Sequence, residues 1–339
     1  MFKENLDKII LRQDLSASEM GDMIAQIFLG QIPDMQIAAF IAALATKGET
    51  FEELAGAANI MRQKAVKVQI IGSDIIDTCG TGGDLSSSFN VSTTTAFVVA
   101  GCSVVVAKHG NRSVSSKCGS ADLIEALGVN LDVAPEIVEQ GIEEIGIGFL
   151  FAPKYHGAMK FVAPARQQLK IRSIFNMLGP LSNPAGANCQ LLGVYAPELT
   201  EMFALTLNDL GTKKAFVVHG HDGLDEISVC APTRVTKLED GMIQTYNINP
   251  EDFFESFANP SEIKGGNLDL NLQITRDILN AKAKGPKRNI VLINSAAALV
   301  SAGKADNLKQ GIKLAKDSID SKKALSKLED LIEFTQDNM

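Results

Sequence analysis

From residue 74 onward, short β-branched apolar runs alternate with helical segments, and few folds accommodate that pattern. The runs are Asp74–Thr78, Ser103–Ala107, Ile147–Phe151, Cys189–Tyr195 and Ala215–His219. Between and after them, helical spacing predicts Ser92–Ala100, Ala121–Leu127, Pro135–Ile145, Gly157–Leu169 and Pro197–Leu210. Such alternation predicts a mostly parallel sheet covered by helices. Ligands in sheets of this kind bind outside the carboxyl ends of the strands. Asp240-Gly241 predicts the turn of a hairpin within 232–262, and helices follow from Leu268, including Asn289–Ala302 and a charged C-terminal helix.

The first 68 residues are different, reading as helices only. Leu6, Ile9 and Ile10 have helical spacing, and Ser16 and Ser18 offer capping chemistry ahead of Met23, Ile24, Ile27 and Phe28. Met35–Lys47, opened by Pro33-Asp34 and closed by Gly48, is apolar nearly all round, and Phe51–Lys64 completes a four-helix unit. An all-round apolar helix predicts burial on two sides, as in a helical dimer interface. The fold class expected is therefore α/β: a small all-helical N-terminal domain (1–68) and a larger α/β domain (69–339) with a mostly parallel central sheet.

Two strand ends in this pattern lead into loops crowded with Gly, Ser, Thr and Asn. The first is Gly80-Thr81-Gly82-Gly83-Asp84, and the second begins Lys108-His109-Gly110-Asn111-Arg112. Such residues expose backbone N–H groups and hydroxyls, as a phosphate-rich ligand requires. Neither loop is a Walker A sequence or a GxGxxG fingerprint. A structural tight turn accounts for GTGGD alone equally well. Asn90-Val91-Ser92-Thr93 precedes an apolar helix, so Ser92 or Thr93 is expected as its N-cap, with a hydroxyl able to reach Mg2+. The second loop sets a cation, an imidazole, a carboxamide and a guanidinium on one turn, followed by Ser113, Ser115, Ser116, Lys117 and Ser120.

Three further features carry chemistry. Asp225-Glu226, adjacent carboxylates with no nearby cation, suit a divalent metal, although two solvated acids explain the pair taken alone. Arg166 on an apolar helix suits a bidentate carboxylate clamp, with a surface arginine as the plain alternative. His156 and His109 are polar ring partners. Cys79 and Cys118 lie within the glycine-rich loops, where a small space-filling role is preferred to a nucleophilic one. The five cysteines lack CxxC spacing, which fits free thiols in a reducing cytosol. A net charge of −8 argues against nucleic acid. The N-terminus lacks a signal-peptide core and no apolar run reaches membrane length, so no membrane association is expected and the location expected is cytoplasmic.

Assembled in order, GTGGD (80–84), NVST (90–93), KHGNRSVSSKCGSAD (108–122), APARQQLKIRSIFNMLGPLSNPA (163–185) and DGLDEIS (222–228) resemble the anthranilate phosphoribosyltransferases of tryptophan biosynthesis. Leu85 and Ser88 depart from the family, which commonly has Gly and Thr there. The resemblance implies transfer of the phosphoribosyl group from 5-phosphoribosyl 1-diphosphate to the amine of anthranilate, releasing diphosphate. It implies a homodimer through the helical part, which would also take in a segment near 173–190. Phosphoribosyl-diphosphate contacts are implied at Gly80, Gly83, Asp84, Ser88, Asn90, Val91, Ser92, Thr93, Lys108, His109, Gly110, Asn111, Arg112, Ser113, Val114, Ser115, Ser116 and Ser120. Anthranilate contacts are implied at Gly80, Asn111 and Arg166, with His109 and His156 nearby. The implied Mg2+ ligands, two ions per subunit, are Ser92, Asp225 and Glu226. Lys108, Asn111 and Arg166 carry the implied catalytic roles. A pyrimidine nucleoside phosphorylase-like enzyme and a non-catalytic nucleic-acid-binding relative remain alternative uses of the same scaffold.

Overall fold

The computed structural model describes residues 2–72, 74–83, 88–113 and 117–338. The N-terminal part contains α1 (Phe2–Ile10), α2 (Ala17–Phe28), α3 (Asp34–Lys47) and α4 (Phe51–Lys64). Two reciprocal caps start these helices. The Ser16 hydroxyl accepts from Glu19 N at 3.3 Å while the Glu19 carboxylate accepts from Ser16 N at 3.0 Å. Thr50 and Glu53 repeat the arrangement at α4. Glu53 is fully buried. Its carboxylate also accepts from Leu15 N at 2.9 Å and from Lys47 Nζ at 3.0 Å, so one acid closes α4 and pins the α1–α2 connection.

The second part runs β1 (Ile75–Gly80), α5 (Val91–Ala100), β2 (Val105–Gly110), α6 (Ser120–Leu127), α7 (Pro135–Ile145), β3 (Ile147–Phe151) and α8 (Ala152–Tyr155). A 3₁₀ turn at Gly157–Phe161 leads to α9 (Ala163–Leu169) and α10 (Ile174–Leu181). Then come β4 (Cys189–Gly193), α11 (Leu199–Asp209), β5 (Lys214–Gly220) and the hairpin β6 (Thr233–Glu239) and β7 (Met242–Ile248). The chain closes with α12 (Leu268–Leu279), α13 (Pro286–Ser301), α14 (Leu308–Asp320) and α15 (Lys323–Asp337).

The strands form one sheet in the order β3-β2-β1-β4-β5-β6-β7, parallel from β3 to β5 and antiparallel in the last two. Alternation along each strand sends neighbours to opposite faces. Leu191 and Phe216 join the core beneath α5 and α13, whereas Leu192 and Val217 join the core shared with the helical part. That second core is continuous through Ile174, Phe175 and Leu178 of α10. Arg62 of α4 locks the junction, donating to the carbonyls of Leu181 at 2.6 Å and Leu210 at 3.0 Å, and burial lowers its pKa to about 10.

The strand order turns between β1 and β4, which opens a crevice at their carboxyl ends. Two expected elements differ in form. Gly157–Leu169 is not one helix: Pro164 lies in the first turn of α9, where its missing N–H is harmless, and a 3₁₀ turn precedes it. The charged C-terminal helix is two, separated at Lys322, whose φ of 61° is left-handed.

Candidate active site

Gly80, the last residue of β1, lies beside Gly193, the last of β4. Gly193 must be glycine because the Asp225 backbone crosses directly over it, and at Gly80 the Asp225 carboxylate lies close. A Cβ on Gly193 would fall 1.5 Å from the Asp225 carbonyl oxygen, and one on Gly80 would fall 2.5 Å from Asp225 Oδ2. Asn294 of α13 holds the residue after Glu226, accepting from Ile227 N and donating to Ile227 O, each at 2.9 Å. The two acids then reach the first glycine-rich loop and the start of α5. Asp225 Oδ2 accepts from Gly82 N at 2.9 Å, and Glu226 Oε1 accepts from Ser92 N at 3.0 Å in the first turn of α5. Gly80, Gly82, Ser92, Asp225 and Glu226, remote in sequence, therefore meet at one strand-end crevice.

Asn90, not Ser92 or Thr93, is the N-cap of α5. Its side chain donates to the Cys118 carbonyl at 3.1 Å and accepts from Asn271 at 3.1 Å, so the cap ties the helix to the second loop. Val91 and Thr93 are buried, the Thr93 hydroxyl without a partner among the described residues, and Ser88 pairs with Lys264 in an antiparallel bridge. Asp84, Val114, Ser115 and Ser116 lie outside the described residues.

Lys108, His109 and Gly110 end strand β2 and do not sit on a turn. The polar residues extend the strand because the interior supplies their partners. Lys108 is buried and donates to the Thr78 carbonyl. Asp77, fully buried, accepts from His109 N at 3.2 Å and from Asn183 Nδ2 at 2.8 Å. Burial pushes the Asp77 carboxyl up, and the Lys108 charge opposes that shift.

The loop after β2 is organised by Asp122. Its carboxylate accepts from Ser113 N at 3.1 Å, Gly119 N at 2.9 Å and Arg112 Nη1 at 3.1 Å. Ser120 Oγ bridges the N–H and carbonyl of Asn111, both at 3.2 Å. Arg112 also pairs with Glu125 at 2.8 Å, so its guanidinium is bound to carboxylates. Burial raises the pKa of Cys79 and of Cys118, which keeps both as protonated space-filling thiols.

The rings of His109 and His156 lie 5.1 Å apart. His109 Nδ1 is 3.1 Å from the Gly179 carbonyl, so that nitrogen carries the proton and Nε2 is left as an acceptor. Nε2 of His109 and both ring nitrogens of His156 are buried without partners among the described residues. Burial, first, lowers His109 to about 3 and His156 to about 4, so both are neutral near pH 7. Arg166 on α9 is half-buried, and burial lowers its pKa. Its guanidinium makes no hydrogen bond or ion pair with any described residue. Two contributors carried no assigned role in the sequence reading. Arg172 donates to the Gly83 carbonyl and stacks on Tyr195, and Asp122 clasps the second loop.

The donor chemistry fits a hard divalent cation. Asp225, Glu226 and the Ser92 hydroxyl would all offer oxygen atoms, and Mg2+ uses one or two carboxylates and fills its remaining positions with water and substrate oxygens. No group of three His, Cys, Asp or Glu gathers among the described residues, as a closed all-protein cage would require. No described helix is long and apolar enough to cross a membrane.

Residues 3–65 match the model for the helical bundle domain of a glycosyl transferase family, and residues 72–325 match the model for that family's a/b domain. Anthranilate phosphoribosyltransferase of Desulfosudis oleivorans is 63% identical over 338 residues, covering 100% of both chains. The structure is similar to anthranilate phosphoribosyltransferase from Thermus thermophilus, with a TM-score of 0.92, 39% identity, and coverage of 98% of this chain and 99% of that one. It is also similar to the Saccharomyces cerevisiae enzyme in complex with PRPP and Mg, with a TM-score of 0.90, 29% identity, and coverage of 99% and 98%.

Proposed function

The chain belongs to the anthranilate phosphoribosyltransferase family, and on that premise we propose how its own residues divide the work. It transfers the phosphoribosyl group of 5-phosphoribosyl 1-diphosphate to the amine of anthranilate, releasing diphosphate. The observation that carries the assignment is the meeting of Asp225 and Glu226 with the Gly82 and Ser92 N–H groups over the β1 and β4 ends.

The donor lies along the two glycine-rich loops, against Gly80, Gly83, Asp84, Ser88, Asn90 to Thr93, Asn111 to Ser116 and Ser120. Loop hydroxyls and backbone N–H groups there stabilise charge on the departing diphosphate. Lys108, buried behind the loop, lends positive charge from beneath. Asp225, Glu226 and Ser92 hold Mg2+, two ions per subunit. When bound, Mg2+ neutralises negative charge on the diphosphate oxygens as the anomeric bond lengthens. So few protein ligands leave positions open for substrate oxygens.

Anthranilate lies on the α9 side. The Arg166 guanidinium, without a partner among the described residues, clamps its carboxylate. Asn111 orients it, and the neutral His109 and His156 offer acceptor nitrogens. An aryl amine is already a nucleophile, so orientation contributes more than a strong base. The helical part leaves Ile10, Leu11, Leu29 and Met35 exposed, which supports a homodimer through that surface, with residues near 173–190 belonging to the helical unit. We place the enzyme in the cytoplasm.

The test is the double variant Asp225→Asn/Glu226→Gln, assayed against Mg2+ concentration. Loss of Mg2+-dependent turnover is expected; an unchanged rate and metal dependence removes the pair from the site.

A further inference from the structure

Thr81, Gly82 and Gly83 of the first loop are tied to three different elements. Thr81 belongs to β4: its N–H donates to the Gly193 carbonyl at 2.9 Å, and its hydroxyl accepts from Tyr195 N at 3.1 Å. Gly82 belongs to the acids, through Asp225. Gly83 is held from elsewhere. Arg172, in the connection between α9 and α10, donates to its carbonyl while the guanidinium carbon lies 4.1 Å from the centre of the Tyr195 ring.

The loop is shaped for this contact. Gly83 has a φ of +76°, and a Cβ there would fall 2.7 Å from Arg172 Nη2. Tyr195 is in turn fixed by its own N–H on Thr81. A planar guanidinium can lie on the ring and donate from its edge at once, which an ammonium cannot. Among the described residues, this is the side-chain tether that joins the loop to the segment carrying Arg166, which lies one helical stretch before Arg172.

We propose that Arg172 is a positioning residue, a latch that joins the acceptor-clamping segment to the donor loop through Gly83 and Tyr195. The proposal rests on the assignment of the 80–84 loop to the donor and of Arg166 to the acceptor. Because Arg172 is exposed, its removal leaves the core intact. A loop free at one end is misplaced for the donor, and small misplacements of a binding group are costly.

Two measurements on the purified chain test it. In steady-state kinetics, Arg172→Ala is expected to raise KM for 5-phosphoribosyl 1-diphosphate about tenfold while KM for anthranilate stays within about twofold. Tyr195→Phe keeps the stacking face and should behave as wild type, Arg172→Lys should fall between, and Arg172→Ala/Tyr195→Ala should be no worse than the single variants. In the free protein, hydrogen exchange at the Thr81 and Gly82 amides should quicken in Arg172→Ala while core amides are unchanged. Wild-type loop exchange in Arg172→Ala, or equal rises in both Michaelis constants, overturns the latch. Failure of the wild-type chain to turn over would overturn the functional assignment instead, and the exchange measurement would still decide the latch.

Discussion

The role proposed for Arg166 follows from what the side chain lacks. A half-buried guanidinium with no partner among the described residues is costly unless a ligand completes it. Arg166→Ala is expected to raise KM for anthranilate by about tenfold or more, with a smaller change for the phosphoribosyl donor. Steady-state kinetics with each substrate varied in turn checks this, and an unchanged anthranilate KM removes Arg166 from the site. The histidine pair gives a pH prediction. His109 and His156 bind protons less readily folded, near 3 and 4, than unfolded, near 6.5. Between those values the unfolded chain holds more protons, so their contribution to stability is present above about pH 6.5 and is lost as pH falls toward 4. The stability difference between wild type and His156→Asn, read from denaturant unfolding, should shift in the variant's favour from pH 7 to pH 5. At this scale the sequence was partly legible. Asp225, Glu226 and Arg166 became legible only through the resemblance of the assembled motifs, because taken alone a solvated acid pair and a surface arginine explain them. Arg172 did not, because nothing in Lys-Ile-Arg-Ser says that the chain returns to Gly83. Asp122 was hidden likewise, since a carboxylate in a helix's first turn reads as an ordinary cap.

At the scale of elements, caps and turns were readable and strand ends were not. Ser16 and Gly48 mark their helices by local chemistry alone, whereas the cap of α5 proved to be Asn90 and not Ser92 or Thr93. Ser16→Ala should cost about 1 kcal/mol by removing one half of the α2 capping box, measurable by denaturant unfolding. Strand β2 runs on through Lys108 and His109 because Thr78, Asp77 and Gly179 supply partners from other elements. A reading by hydrophobic pattern ends that strand at Ala107. The glycines at strand ends make a sharper prediction. Gly193→Ala would drive a methyl group into the Asp225 backbone, 1.5 Å from its carbonyl oxygen. Displacing that segment should abolish turnover even if the protein stays folded. Activity and circular dichroism of the variant check this together, and full activity would contradict the crossing of the two segments.

The whole molecule was the most legible level. Four helices followed by alternating runs left few architectures open, and the sheet order places β1 and β4 side by side at the crevice. The sequence could not specify which loops meet there, because the meeting depends on the sheet order. Met35 and Leu29 are exposed, 86% and 55% accessible, and lie on the surface proposed for dimerisation. Met35→Asp should shift the chain toward monomer in sedimentation velocity, while a wild-type distribution would move the interface elsewhere. The central claim concerns catalysis, and one assay addresses it: purified chain, anthranilate, 5-phosphoribosyl 1-diphosphate and Mg2+, with anthranilate fluorescence followed over time. The account predicts loss of fluorescence that requires the donor and Mg2+ and is matched by released diphosphate. Persistent fluorescence under saturating substrates and Mg2+ would contradict it.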